Sequence, residues 1–398
     1  MPIYLDHIAA TPLLTAAKDA MMPFWDESFG NPQSRHEVGD APKAAIETAR
    51  KSIAELIGAD PREIIFTASA SEANNLAIKG ILSSHKKRGR HIITSVIEHF
   101  SVAHPIKRME QEGYQVTWLP VDQTGRVNPA DVKNAICKET VLISIAHANN
   151  EIGTIQPIQE IAKIANASGV PFHTDAAATV GVIPFDINSL GVDLAGFSAQ
   201  QFYGPKGVGA LYLRRGTRIF PLIDGGIQEG GRRAGTENVP AIVGMGVAGK
   251  AARENLTHEH KRLSNLRDHL ISGLIKKVNR IHLTGDRQYR LPHIASFAVE
   301  YVDGEALIRA LSRSGIIAAA GSSCSADALK ISPTLTAIGY PANIAQGAIV
   351  MSLGKDTTRE DIDTVLSVFP EVVSSLQEIS PIYSELSGGA SAASSQSR

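Results

Sequence analysis

In the first part of the chain, apolar residues recur on one helical face. After Asp40 and Pro42, the residues Ile46, Ala49, Ile53 and Leu56 follow at spacings of three and four, and Gly58 supplies a stop. This pattern predicts a capped amphipathic helix ending at Gly58. Farther on, short apolar runs at 63–67, 91–96, 116–121, 141–146, 171–174 and 194–198 are separated by helix-like stretches such as 70–83 and 158–167. Strand and helix alternating in this way predict an α/β fold with a mostly parallel sheet covered on both faces. Ligands in such sheets bind beyond the carboxyl ends of the strands, so the residues just after each apolar run are the candidates for chemistry. A long helical stretch near 240–278 then leads to a second set of elements at 296–302, 305–314 and 361–379, which predicts a smaller α+β domain. The expected division is a large domain over 1–255, its N-terminal segment partly packing with the small domain, then a small domain over 256–386. The last twelve residues, SGGASAASSQSR, are small and polar and predict a disordered tail over 387–398.

Composition narrows the function without naming it. The 39 Lys and Arg residues nearly balance 40 Asp and Glu, so no overall field points to nucleic acid, membrane or polyanion partners. Neither a signal-like N-terminus nor an apolar run of about 18 residues occurs, and the chain reads as cytoplasmic. Two cysteines, Cys137 and Cys324, suit a reducing compartment rather than a disulfide framework. Cys137 follows a helix-like stretch and is expected to be a packed thiol. Cys324 stands among Ser322, Ser323, Ser325 and Asp327, polar neighbours that suit an accessible, reactive one.

The chemistry gathers in eight segments: YLDHIAATP, FGNPQSRH, FTASASEANNLAIKG, NNEIGTIQP, HTDAA, FYGPKGVGALY, GGRRAGTEN and GSSC. Their order and spacing, over nearly the whole chain, resemble those of the cysteine desulfurases. The resemblance implies a pyridoxal-phosphate (PLP) dependent transferase fold of type I, with PLP as cofactor. It also implies a homodimer with active sites near the subunit interface, and removal of sulfur from cysteine to leave alanine. The sulfur would pass, as a persulfide, to an acceptor protein or an iron–sulfur scaffold.

Individual residues support parts of this. Ala70 and Ser71 begin a helix after a strand, where backbone N–H groups and the helix dipole attract phosphate, and they match the family's phosphate cup; Ser71 could also cap the helix, and both can hold together. By resemblance Asp175 pairs with the pyridine nitrogen, His99 stacks on the ring and takes part in proton transfer, and Asn150 lies near the ring hydroxyl; an Asn beside Asn149 could also simply build a turn. Thr236, in the same Gly-rich segment as Arg233, matches a residue that gives a hydroxyl to the partner subunit's phosphate. Cys324 matches the persulfide-carrying cysteine on the family's long catalytic loop.

The pattern breaks in one place above all. After the strand-end Ser198 the family has a His-Lys pair, and this chain has Gln200 and Gln201. An amide nitrogen is neither basic nor nucleophilic, so Gln201 cannot bind PLP covalently or shuttle a proton; it can only hydrogen-bond. Ala178 replaces the family's Gln beside the ring hydroxyl, Val350 replaces its substrate-carboxylate Arg, and Lys355 stands where its last motif has Arg. Lys206 belongs to a turn five residues beyond Gln201 and is not expected to replace the missing lysine. The residues leave three readings open: a sulfur carrier on Cys324 without standard desulfuration, with PLP held non-covalently or lost; an active desulfurase with non-covalently bound PLP; and a scaffold that pairs with an active paralogue.

Overall fold

The computed structural model describes residues 2–321 and 331–380, so Cys324 and the 387–398 tail lie outside the described residues. Strand β1 (Ile3–Tyr4) is followed by β2 (Ile64–Thr67), β3 (His91–Ser95), β4 (Gln115–Leu119), β5 (Thr140–Ser144), β6 (Phe172–Asp175), β7 (Leu194–Ser198) and β8 (Gly209–Leu213). The last seven form one sheet in the order β2-β8-β7-β6-β5-β3-β4. All its pairings are parallel except those of β8 with β2 and β7. The reversal at β8 has a local cause. Only 199–208 separate it from β7, a short 3-10 turn at Ala199–Phe202 with Tyr203 left-handed at φ 65°, too little chain for a crossover helix.

Alternate strand residues serve the two faces. Ile64, Phe66 and Ile93 face a core shared with Ile46, Ile53 and Ile57 of the Glu37–Ile57 helix, whereas Ile65 and Ile92 face Leu76, Ile78 and Ile81 of the Ala70–Ser84 helix. Each fully buried Ile or Leu contributes roughly 2 kcal/mol, so register is strongly fixed. The first predicted helix ends at Gly58 as expected, in a left-handed C-cap at φ 70°, but begins at Glu37. Asp40 is therefore not its cap: His36 holds the extended N-cap backbone, and Pro42 lies inside the helix.

The Val239–Lys277 helix joins the two cores. Its first half, from Val239 to Ala248, packs on the large sheet; its second half gives Leu263, Leu266, Leu270 and Leu274 to a separate core with Phe297, Ile349 and Phe369. Residue 255 falls inside this helix. In the second core β10 (Ile294–Val299) lies between β9 (Ile281–Leu283) and β12 (Ala348–Ser352), both antiparallel, while β1 pairs in parallel with β11 (Ile316–Ile317). Leu5 is buried in this core, which ties the N-terminal segment to the C-terminal elements.

Candidate active site

The carboxyl edges of β3, β5, β6 and β7 and the start of the Ala70–Ser84 helix surround a cavity of about 310 Å³. It brings together Ala70, Ser71, His99, Asn150, Asp175, Ser198, Gln200 and Gln201. Thr236 stands apart, in an adjoining cleft that shares Ala68, Gly207 and Val208 with the cavity.

Asp175 ends β6 and is nearly buried. Its Oδ1 accepts the Ala177 N–H at 3.0 Å and its Oδ2 accepts the Asn74 side-chain N–H at 2.8 Å. Burial pushes its pKa up, while nearby His99 and the two N–H donors pull the other way. At the other end of the cavity Ser69 caps the Ala70–Ser84 helix, its hydroxyl accepting the Glu72 N–H at 3.1 Å. Ser71 is thus not the cap, and Ala70 and Ser71 lie in the first turn, where N–H groups have no partner within the helix. The Glu72 carboxylate accepts the Ala68 N–H at 2.8 Å and pairs with Arg233 at 2.9 Å, fixing this turn to the GGRRAGTEN segment.

His99 is the N-cap of the Phe100–Gln111 helix. Its Nδ1 accepts from the Ser101 N–H at 3.1 Å and from the Ser101 hydroxyl at 2.8 Å. Of the two neighbouring asparagines it is Asn149 that builds the turn, its Oδ1 accepting the N–H groups of Glu151 and Ile152 at 2.9 Å each. Asn150 lines the cavity instead.

Gln201 sits in the turn after β7, and its side-chain oxygen accepts the Ser198 hydroxyl. Its amide N–H groups remain free to donate toward the cavity. Gln200 is held through its backbone oxygen, which accepts the Thr11 hydroxyl. Lys206 also lines the cavity, yet its ammonium donates to the Thr11 carbonyl at 3.2 Å. Val350 is 3% exposed and packs in an apolar cluster with Ala148, Ala178, Ile294 and Ala319. Ile8, Ala148 and Ala178 carry that apolar surface to the cavity wall. The two departures Ala178 and Val350 are therefore one packed unit. Cys137, expected to be packed, is exposed, because its helix Pro129–Ala135 stops short and leaves it in the turn before β5; its sulfur lies 3.5 Å from His91 Nδ1.

Two carboxylates, half-buried Glu151 and buried Glu98, escaped the sequence reading. Glu151 accepts the Ser332 hydroxyl at 2.7 Å, and burial raises its pKa to about 7. Glu98 joins β3 to the end of β5, accepting the Ser95 hydroxyl at 2.6 Å and the Ala146 N–H at 3.1 Å; burial raises its pKa to about 8. Because the folded chain keeps this proton where the unfolded chain, with an ordinary value of 4.5, has lost it, the stabilisation is present at low pH and disappears as pH rises through about 8. The contribution is at most about 5 kcal/mol. Thermal melts should therefore fall from weakly acidic to alkaline pH, and Glu98→Gln should flatten that slope by a measurable part.

A model of one protein family, aminotransferase class-V, matches residues 3–365. The chain belongs to the class-V aminotransferase family. It is 48% identical over 383 residues to cysteine desulfurase IscS of Dictyoglomus turgidum, covering 96% of this chain and 97% of that one. It is 47% identical to cysteine desulfurase IscS of Methanosarcina thermophila, covering 96% and 94%. A solved structure of a NifS-like protein superposes with a TM-score of 0.88 at 38% identity, over 94% of this chain and all of the other. PLP is the cofactor of this family, and the α/β architecture is its type I fold. The cavity fits PLP at both ends, with a buried, doubly hydrogen-bonded carboxylate at one and a capped helix N-terminus at the other. It does not offer an amine at Gln201 for a covalent bond.

Proposed function

We propose that this chain is a desulfurase-like sulfur-transfer protein that holds PLP without a lysine bond and carries sulfur as a persulfide on Cys324. The observation that carries the reading is Gln201 itself, hydrogen-bonded to Ser198 in a cavity that keeps Asp175, His99 and the helix N-terminus at Ala70 and Ser71. PLP, when bound, would supply an electron-withdrawing ring for an amine substrate. Asp175 would hold the proton of the pyridine nitrogen, the first-turn N–H groups would hold the phosphate, and the amide of Gln201 would donate a hydrogen bond but accept no proton. With Val350 and Ala178 giving apolar surface, the site holds no guanidinium fork at that position for an amino-acid carboxylate. The high identity to proteins named cysteine desulfurase supports sulfur as the cargo.

In this reading the Cys324 thiolate attacks the outer sulfur of a persulfide donor. The new S–S bond forms as the donor's own S–S bond breaks, and the donor leaves as a thiolate. An acceptor protein or iron–sulfur scaffold would then receive the sulfur. A second copy of the chain is the proposed partner in the resting state, consistent with the exposed Trp25, Phe29, Phe220 and Ile227. The workplace would be the cytoplasm. Incubation with a small-molecule persulfide should add one sulfur to the intact protein by mass spectrometry, and Cys324→Ser should lose it. With L-cysteine and PLP, the wild type should form no alanine. Alanine formation would instead identify an active desulfurase with non-covalently bound PLP.

A further inference from the structure

Asn74 lies in the FTASASEANNLAIKG segment and stands at the centre of a polar network beside the cavity. It lies about one turn beyond Ala70 and Ser71 on the same helix and is fully buried. A carboxylate only accepts, so the amide nitrogen is the end that faces Asp175, donating to Oδ2 at 2.8 Å. Its second N–H goes to the Ser101 hydroxyl oxygen at 2.9 Å. Its carbonyl oxygen receives the Nε2–H of His173 at 3.2 Å, and His173 Nδ1 accepts the Ser144 hydroxyl at 2.8 Å. Burial keeps His173 neutral, which this pattern requires. Both N–H groups of Asn74 and its carbonyl oxygen are therefore engaged, and in one orientation.

The consequence reaches His99. Since the Ser101 oxygen already accepts from Asn74, its own hydrogen is directed at His99 Nδ1, which the Ser101 N–H also meets. With Nδ1 accepting twice, the neutral ring carries its proton on Nε2. We infer that Asn74 is a positioning residue that orients the Asp175 carboxylate and, through Ser101, sets His99 as the Nε2–H tautomer, so that one helix holds the phosphate end, the pyridine end and the imidazole in register. A merely space-filling side chain would do none of this. The inference rests on the reading that PLP occupies this cavity.

The test uses PLP affinity, read by absorbance, together with ¹⁵N spectra of the histidines assigned with His99→Gln. Asn74→Asp keeps the shape but sets a second carboxylate against Asp175. Its PLP affinity should fall at least about tenfold at mildly alkaline pH and recover at mildly acidic pH, where one shared proton restores the hydrogen bond. Wild-type affinity, or a loss independent of pH, would overturn the inference. If Asn74→Asp does not fold, Asn74→Ala should weaken PLP binding about tenfold and move the His99 shifts toward a tautomer mixture; unchanged values would overturn it. A wild type that takes up no PLP would refute the binding reading alone. The His99 tautomer, Nε2–H in the wild type and mixed in Asn74→Ala, then decides, and a proton on Nδ1 in the wild type overturns the role of Asn74.

Discussion

Gln201→Lys should turn a protein that releases all its PLP on denaturation into one that, after borohydride, keeps about one equivalent per chain on the new lysine. The turn that carries residue 201 is fixed on both sides. Ser198 ends β7 in the sheet, and Tyr203 lies beyond in a left-handed conformation that reverses the chain. A lysine there begins from the Cα that now aims Gln201 into the cavity, and the Ser198 hydroxyl loses only one hydrogen bond. Cysteine turnover is not expected to return with the lysine alone, because Ala178 and Val350 still form the apolar unit with Ala148 and Ala319. Peptide mapping of the reduced adduct checks the expectation. A wild type that already retains PLP after borohydride, or a variant that does not, would contradict it.

Gly196→Ala should be strongly destabilising. Gly196 pairs with Asp175 across β7 and β6, and a Cβ on it would lie 2.1 Å from the Asn74 side-chain oxygen and 3.3 Å from the Asn74 backbone nitrogen. Asn74 cannot swing aside without giving up its bonds to Asp175, Ser101 and His173. Nor can the helix retreat without opening its contact with the sheet, where Leu76, Ala77 and Ile78 pack with Ile65, Ile92 and Leu211. Overpacking of this kind together with a broken buried network should remove about 3 kcal/mol or more, and PLP affinity should fall with it. Denaturant melts measure the first and absorbance the second. An unchanged midpoint would mean that the Asn74 network is looser than its distances imply.

Regular periodicity was the most legible part of the chain. The 158–167 helix was read to the residue because its apolar face repeats without interruption, and β7 because a run of apolar residues ends in a polar strand-end Ser. Ends set by backbone geometry were not legible. The first helix begins three residues before Asp40 because His36 adopts extended backbone, which no side-chain signal announces. Strand β8 escaped notice because its Gly-rich approach reads as a turn and its direction depends on the length of the preceding connection. The alternative role for Ser71, that of helix cap, falls instead to Ser69, a shift of two residues that the hydrogen bond to Glu72 reveals.

Within the site, residues at strand ends were legible and those behind them were not. Asp175, His99 and Gln201 follow apolar runs, so their positions at one edge of the sheet follow from the alternation. Asn74, Ser101 and Glu98 act through contacts between elements far apart in sequence, Asn74 and Asp175 being 101 residues apart. A buried Asn inside an otherwise apolar helix face, between Ala73 and Leu76, was the one available signal. The joint replacement of a polar pair by Ala178 and Val350 was visible as two substitutions, and the structure adds that they share one cluster.

Mass spectrometry of the wild-type protein mixed with PLP, before and after borohydride and under native and denaturing conditions, tests the main claim most directly. Holding PLP without a lysine bond predicts a native mass raised by about one PLP per chain and a denatured mass equal to that of the bare chain, with or without borohydride. A denatured mass that keeps PLP after borohydride, with the adduct on Lys206 or any other lysine, would contradict it.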